Sequence, residues 1–117
     1  VAVVAVEAPI SIVKAALYGQ PTGAPLSKPT ADVIAVAKRV LKQGEILDGS
    51  GGYTVNGLIE KAEIARSENL VPLGLTYGAR LNVDITRGTA ITYDMVELDQ
   101  DSFVLKLRRL QDATLWD

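Results

Sequence analysis

Two nine-residue segments of the chain share one pattern, and this repeat limits the folds open to the chain. They are "RVLKQGEIL" at 39–47 and "VDITRGTAI" at 83–91, separated by a constant 44 residues. Gly44 aligns with Gly88, Leu41 with Ile85, and Leu47 with Ile91. Each segment is typical of a strand, a turn at a glycine that takes positive φ at little cost, and a short returning strand. We therefore predict two equivalent hairpins with pseudo-twofold symmetry, the alternative being two unrelated hairpins that match by chance.

The first 30 residues differ from the rest of the chain. In "APISIVKAALYG" apolar residues recur at helical spacing between Pro9, near the first turn, and Gly19, just past the end, which predicts a helix over 9–18. The prolines and glycines of "GQPTGAPLSKPT" exclude helix and central strand, so 19–30 is predicted as an extended linker. The apolar start "VAVVAV" would normally be buried, and we expect the chain to be part of a longer protein. We therefore divide it into 1–30, helix and linker, and 31–117, a β domain.

The β domain is predicted to contain one inserted helix. "DVIAVAKRVL" at 32–41 alternates and is apolar on most of both faces, which is typical of a central strand. "LIEKAEIARSEN" has helical spacing and predicts the inserted helix near 57–67, followed by short strands in "GLTY", "ARLNVDI" and "TAIT". Alternation in "SFVLKLRRL" at 102–110 predicts a half-exposed strand near the edge of the sheet. Charges on such an edge discourage strand pairing between chains, the role we expect for Lys106, Arg108 and Arg109.

Composition excludes several classes of function. The chain of 117 residues has no cysteine and no histidine, so it lacks thiol nucleophiles, disulfides, thiolate metal sites and the commonest general base. No metal site is predicted. A net charge of −2 is too balanced for nucleic acid or anionic lipid, and the apolar start is too short to span a membrane. We expect a cytoplasmic protein without nucleic-acid or membrane partners.

A glycine-rich loop, "DGSGGYTVNG" at 48–57, raises the possibility of a phosphate site. The dinucleotide fingerprint fails because Thr54 stands where its third glycine would be, and no Gly-Lys-Ser/Thr P-loop is present. We predict a structural bend, and the alternative is a loop that touches a phosphosugar or another small polar substrate. The residues of that alternative are Gly51, Gly52, Tyr53 and Thr54, with the strand-end basic residues Lys38 and Arg39 as further contacts.

The two segments "AVAKRVLKQGEIL" and "ARLNVDITRGTAITYDMVEL" resemble the SAF domain, the β-clip module of type III antifreeze proteins, sialic acid synthases and pilus or flagellar assembly proteins. The resemblance implies a mostly β fold, with Gly44, Gly88 and Asp84 at the turns. Thr92 would cap a short helical turn opened by Tyr93 and Asp94. Val40 departs from the pattern, because the family usually carries an acidic residue there.

Nearly the whole chain resembles the C-terminal region of bacterial NAD(P)-dependent oxidoreductases of the homoserine dehydrogenase-like group, which includes a deoxyxylulose-phosphate reductoisomerase-like enzyme. "EAPISIVKAALYGQPTGAPLSKPTADVIAVAKRVLKQGEILDGSGGYTVNG" and "LVPLGLTYGARLNVDITRG" together carry this likeness. It implies that the NAD(P)-binding and catalytic domains precede Val1 and that this chain is a non-catalytic accessory module without a cofactor of its own. The module would assist substrate-site closure or oligomerisation, most simply as a homodimer. The alternatives are an independent carbohydrate-binding or assembly module and, least favoured, a small stand-alone enzyme.

Overall fold

A computed structural model describes residues 4–24 and 27–116. It contains three α-helices, two two-stranded antiparallel sheets and two 3-10 turns. In chain order these are α1 Val4–Tyr18, β1 Ala31–Ala37, β2 Val55–Lys61, α2 Ala62–Ser67, a 3-10 turn Leu73–Leu75, β3 Arg80–Leu81, a 3-10 turn Tyr93–Met95, β4 Val96–Glu97 and α3 Phe103–Thr114. The chain is therefore a small mixed α and β fold. More of it is helix than strand, which corrects the expectation of a mostly β fold.

Helix α1 is longer than predicted and stands exposed. It begins at Val4 instead of residue 9, so Pro9 lies inside the helix, where it removes one backbone hydrogen bond without ending the helix. The predicted end is confirmed, because α1 stops at Tyr18 and Gly19 takes a φ of +59°. None of the residues of α1 is buried. Residues 1–3 of the apolar start lie outside the described residues.

Strand β1 is central, as predicted. One edge pairs with β2 in a register that sets Ala31 opposite Lys61 and Ala37 opposite Val55. Its other edge meets the returning chain, where the Ala35 N–H donates to the Val71 carbonyl at 3.0 Å. An apolar strand covered along both edges and buried at most of its C-terminal positions forms the middle of the fold.

The predicted helix near 57–67 is only half correct. Residues 55–61 form β2, and the helix α2 begins at Ala62. Pairing with β1 overrides the helical spacing, since it supplies a partner to every residue of β2. Gly57 also favours the strand, because a Cβ there would lie 2.8 Å from the Leu73 side chain and 3.0 Å from that of Val33.

The predicted pairing within each hairpin is wrong, because the two arms of 39–47, and likewise those of 83–91, do not pair with each other: Leu41 pairs with Ile85, Ile46 with Arg80 and Ala90 with Val36. Each hairpin of the repeat is thus a glycine turn whose arms pair with other parts of the chain, and the backbone hydrogen bonds of the two hairpins correspond at the 44-residue offset. At the centre, Leu41 and Ile85 each donate an N–H to the other's carbonyl at 2.8 Å. The Gly44 N–H donates to the Leu81 carbonyl at 2.8 Å, and the equivalent Gly88 N–H donates to the Ala37 carbonyl at 2.9 Å. Gly44 and Gly88 have φ of +89° and +84°, which confirms the predicted positive φ at both turns.

The core follows the same correspondence. Its largest cluster contains four pairs of buried residues related by the offset: Ala35 with Ala79, Ala37 with Leu81, Leu41 with Ile85, and Leu47 with Ile91. Each hairpin therefore contributes matching apolar side chains to one shared interior. Neither hairpin has a core of its own, which makes them a single unit of stability.

The predicted edge strand at 102–110 is wrong, because Phe103–Thr114 is the helix α3. Ser102 begins the helix, and its hydroxyl accepts a hydrogen bond from the Leu105 N–H at 3.4 Å. Leu105 is buried, while Lys106 and Arg109 are exposed on the helix. The proposed role of these cations in protecting a strand edge is wrong as well. The strands expected in "GLTY", "ARLNVDI" and "TAIT" are reduced to β3, single bridges and the 3-10 turn at Leu73–Leu75.

No helix within 4–24 or 27–116 combines the length and the apolar character needed to cross a membrane.

Replacing Gly44 by alanine is expected to lower the free energy of unfolding by about 1–2 kcal/mol, because an L-residue is strained at positive φ. The space around Gly44 is open, so backbone strain is the only cost. Urea unfolding followed by circular dichroism measures the change. Gly74→Ala is the matched control, since Gly74 also faces open space but lacks positive φ. Equal effects of the two substitutions would contradict the assignment of Gly44 to a strained turn.

Candidate functional site

The glycine-rich loop is closed by its own aspartate. The Asp48 carboxylate accepts hydrogen bonds from the Tyr53 N–H at 2.7 Å, the Thr54 N–H at 3.1 Å and the Thr54 hydroxyl. In return the Asp48 N–H donates to Thr54 Oγ1 at 3.1 Å. The backbone N–H groups of Tyr53 and Thr54 thus converge on an anion, as the glycine pattern suggested, and that anion is Asp48.

The glycines allow this closure. A Cβ on Gly52 would lie 2.3 Å from Cγ of Asp48, so any side chain at this position would collide with the carboxylate. Gly49 and Gly51 take φ of +76° and +79°. These positive values turn the chain sharply between Asp48 and its hydrogen-bond partners Tyr53 and Thr54. The composition of the loop is therefore explained by its internal hydrogen bonds, in agreement with the predicted structural bend.

Hydrogen bonds hold Asp48 in its charged form. The Thr54 hydroxyl is the strongest influence, followed by the Tyr53 N–H, and together they lower the pKa of Asp48 to about 2. At neutral pH the loop therefore carries a fixed negative charge at the point where an external phosphate would have to bind. A phosphate cannot use the N–H groups of Tyr53 and Thr54 while Asp48 occupies them.

The structure brings some of the predicted contact residues together. Thr54 is buried, and the Gly52 N–H donates to the Gly49 carbonyl at 3.4 Å. Gly51 is exposed and the Tyr53 side chain reaches into solvent, with 81% of the residue exposed. Lys38 joins this loop, since its Nζ donates to the Gly52 carbonyl at 3.0 Å.

Arg39 points to a different group. Its guanidinium donates to Oε1 of Glu45 at 3.0 Å and to the Val40 carbonyl at 3.0 Å. This ion pair, together with the Lys42 N–H, lowers the pKa of Glu45. Arg39 therefore braces the first hairpin turn, and the structure does not place it with Lys38 at the loop.

Asp84 links the two hairpins. Its Oδ1 accepts the Gln43 N–H at 2.8 Å, so an acid of the second hairpin caps the turn of the first. Val40 occupies the equivalent position in the first hairpin and has no acceptor side chain, so the reciprocal bond to the second turn cannot form.

The predicted helix cap by the Thr92 side chain is not formed. The short helical turn is present at Tyr93–Met95, but the Thr92 hydroxyl makes no capping bond to its N–H groups. The hydroxyl donates to Asp94 Oδ1 instead, and the Met95 N–H donates to the Thr92 carbonyl at 3.1 Å. The turn is therefore closed through the Thr92 carbonyl, and the Thr92 side chain has no capping role.

A second surface, which we call the α3 groove, lies between α3, the β1–β2 sheet and the 3-10 turn at Leu73–Leu75. Its volume is about 540 Å³. The apolar part of its lining includes Val33, Ile59, Pro72, Leu75, Val104 and Leu107. Most of these side chains are partly exposed, so the groove is an open apolar surface.

The ion pair between Asp32 and Arg108 lies at this groove and attaches α3 to β1. Arg108 also donates from Nε to Asp112 Oδ1 at 3.0 Å, one turn further along α3. Burial works to lower the pKa of Arg108, but the hydrogen bonds to Asp32 and Asp112 outweigh it and raise that pKa further. Arg108 therefore stays charged, and its hydrogen bonds to Asp32 and Asp112 hold α3 in place.

The residue types available for catalysis at these surfaces are few. The chain has neither histidine nor cysteine, and within 4–24 and 27–116 no three acidic side chains gather as a metal ion would require. The exposed groups at the glycine loop and the apolar lining of the α3 groove provide contact surface and hydrogen-bond donors.

Comparison with family models found no match, and comparison with curated proteins found none.

We expect acid to destabilise the protein through Asp48. Because the folded-state pKa lies near 2 and the ordinary value is 3.8, the stabilisation is complete above about pH 4 and is lost as the pH falls through 2. The thermal midpoint of the wild type should therefore approach that of Asp48→Asn between pH 4 and pH 2. Asp101→Asn, which removes the same charge from another exposed turn, controls for net charge. A gap between wild type and Asp48→Asn that is the same at pH 7 and pH 2 would refute this role.

Proposed function

We propose that the chain is an accessory module of the SAF, or β-clip, type from the C-terminal region of an NAD(P)-dependent oxidoreductase. The module is non-catalytic and binds no nicotinamide cofactor itself. The preceding domains of the longer protein bind NAD(P) and substrate, and the module docks against them or against a second subunit. In that position it helps to close the substrate site or to hold subunits together, in the cytoplasm.

The paired hairpins support the β-clip part of the proposal. The resemblance rests on two similar segments, and those segments form equivalent turns at Gly44 and Gly88 around the reciprocal Leu41–Ile85 bonds. A pseudo-twofold pair of glycine turns over one shared core is the arrangement that the resemblance implies. The helices α2 and α3 are then additions around this centre.

The observation that carries the docking role is the apolar character of α1. Val6, Ile10, Val13 and Leu17 recur on one face of this helix, and they are 61%, 56%, 45% and 72% exposed. Contiguous apolar surface of this kind marks an interaction site on a protein in water. Glu7 and Lys14 flank this stripe. Val4 and Ile12, which are 67% and 66% exposed, add apolar surface on the remaining side of α1.

The α3 groove supplies a second apolar surface on the body of the module. It opens beside Ala31, where the linker from α1 enters β1. A domain that contacts both α1 and the groove would fix the module at two points separated by the linker. Two-point attachment suits a module that must close over a site and hold its position.

An independent carbohydrate-binding or assembly module is the second candidate, and the exposed Tyr53 on the glycine-rich loop favours it. The coding sequence upstream of Val1 discriminates between the two. A glycine-rich strand-turn-helix fingerprint supports the oxidoreductase module, whereas a start codon immediately before Val1 supports the independent module.

The 117-residue chain is expected to self-associate, most simply to a dimer, because α1 exposes apolar surface that a partner domain would cover. Sedimentation velocity at 10–500 µM measures this. Val13→Asp, which puts a charge on the apolar face, should shift the chain to monomer, and Ser11→Asp on the opposite face should leave association unchanged. A strictly monomeric wild type at high micromolar concentration, with residues 4–18 protected from proteolysis, would show that the chain covers its own helix and would contradict the docking role.

A further inference from the structure

The outer edge of strand β2 pairs with no strand within 4–24 or 27–116, because β1 and β2 form a sheet of only two strands. The Lys38 N–H donates to the Thr54 carbonyl at 2.9 Å, and the register continues this hydrogen-bonded pairing at the even-numbered residues. In an antiparallel pair, the residues between the hydrogen-bonded ones direct their N–H and C=O groups away from the partner strand. The backbone groups of Gly57 and Ile59 therefore point outward from the sheet.

This outer edge is also exposed on both faces of the sheet. Leu58 is 54% exposed and Ile59 is 76% exposed, although their side chains lie on opposite faces. An open apolar edge is a template for pairing with another chain, and proteins usually protect it with charge, proline or a covering segment. The charges of β2 lie at one end of the strand, at Glu60 and Lys61. The middle of β2 is thus open to a further strand.

The sequence of β2 suits pairing with a second copy of the same strand. An antiparallel alignment of all seven residues of the two copies places Leu58 opposite Leu58 of the second copy, on a twofold axis. Gly57 then lies opposite Ile59 of the second copy on both sides of the axis, and each such pair can exchange two main-chain hydrogen bonds. Asn56 lies opposite Glu60, so no two like charges face each other.

Gly57 makes room for the apolar side chain that this alignment brings. With no side chain of its own, Gly57 has Leu73 and Val33 beside it, at 2.8 Å and 3.0 Å from the position of a Cβ. Ile59 of the second copy would lie next to Gly57 on this face and would contact both side chains. The pairing therefore covers the most exposed apolar residue of β2 in each copy.

We propose that β2 pairs antiparallel with β2 of a second copy, so that two β1–β2 sheets form one four-stranded sheet across a twofold axis. The proposal rests on the self-association proposed above for α1 and adds the arrangement of the two copies. Main-chain hydrogen bonds to a partner replace hydrogen bonds to water, so the edge alone does not offset the entropy lost on association. The apolar surface of α1 provides the attraction, and the β2 edge sets the orientation. The linker 19–30 can span up to about 40 Å, which allows both contacts in one dimer.

Single cysteines test the alignment, because the chain has no cysteine of its own. With Leu58→Cys the two Cα atoms on the axis would lie about 4.5 Å apart, within the range of a disulfide. Asn56→Cys is the matched control on the same face, since its two Cα atoms would lie about 13 Å apart. Oxidation with copper phenanthroline, followed by non-reducing electrophoresis, should cross-link Leu58→Cys at least about tenfold faster than Asn56→Cys. Equal rates for the two variants would overturn the pairing.

A charge on the axis tests the same contact without cross-linking. Leu58→Lys opposes two like charges and should raise the dissociation constant of the dimer about tenfold in sedimentation velocity. Val40→Lys is the matched control, because Val40 is 53% exposed, against 54% for Leu58, and lies outside β2. Equal weakening by the two substitutions would overturn the pairing, and circular dichroism verifies that each variant is folded.

The two contacts of the dimer can fail separately. A wild-type dimer that Val13→Asp dissociates, but in which Leu58→Cys cross-links no faster than Asn56→Cys, would retain the docking role of α1 and overturn the β2 pairing. Cross-linking of Leu58→Cys that stays equally fast after Val13→Asp is added would retain the β2 pairing and overturn the part of α1 in the dimer.

Discussion

The reciprocal hydrogen bonds between Leu41 and Ile85 are the interaction on which the rest of the structure depends. They join residues 44 positions apart in the chain and lie at the centre of the two equivalent hairpins. Both side chains are buried in the shared core, so pairing and burial occur together. The turns at Gly44 and Gly88 then follow from the need to return each strand to the opposite hairpin. The glycine-rich loop leaves this centre from Leu47 and returns to it at Val55, so both ends of a stretch with three glycines are fixed in the core.

The centre could be predicted from the sequence because its signals are local. Gly44 and Gly88 sit between apolar residues at equal spacing, and each turn requires a backbone conformation that glycine adopts most readily. The apolar residues of 32–41 continue on both faces and so predict the central strand, although β1 ends at Ala37, before the segment that turns at Gly44. The structural bend at 48–57 is predicted because the loop matches neither the dinucleotide fingerprint nor the P-loop. Two of the contact residues that the sequence predicts for this loop lie near each other, because Lys38 binds the carbonyl of Gly52, the residue before Tyr53.

The remainder depends on contacts between residues distant in sequence. Strand β2 has helical spacing but pairs along its whole length with β1, and no pattern within 55–61 reveals that partner. Helix α3 alternates like a strand, and the informative signal was Ser102, a favoured N-cap residue immediately before it. The same alternation places Arg108 at a strand edge, because nothing near it in the sequence indicates its partner Asp32, which lies 76 positions away. Tyr77, which packs on Gly49, was missed at the loop because that contact leaves no trace in the sequence.

Amide hydrogen exchange tests most directly whether the two hairpins form one unit. If they share a single core, the amides of Leu41, Gly44, Ile85 and Gly88 should belong to the most protected group and open with the same free energy, equal to that of global unfolding. Substitution Gly44→Ala should then lower protection equally in both hairpins. Exchange at Ile85 and Gly88 that is unchanged by Gly44→Ala, or a hairpin that opens well below the global free energy, would contradict the account.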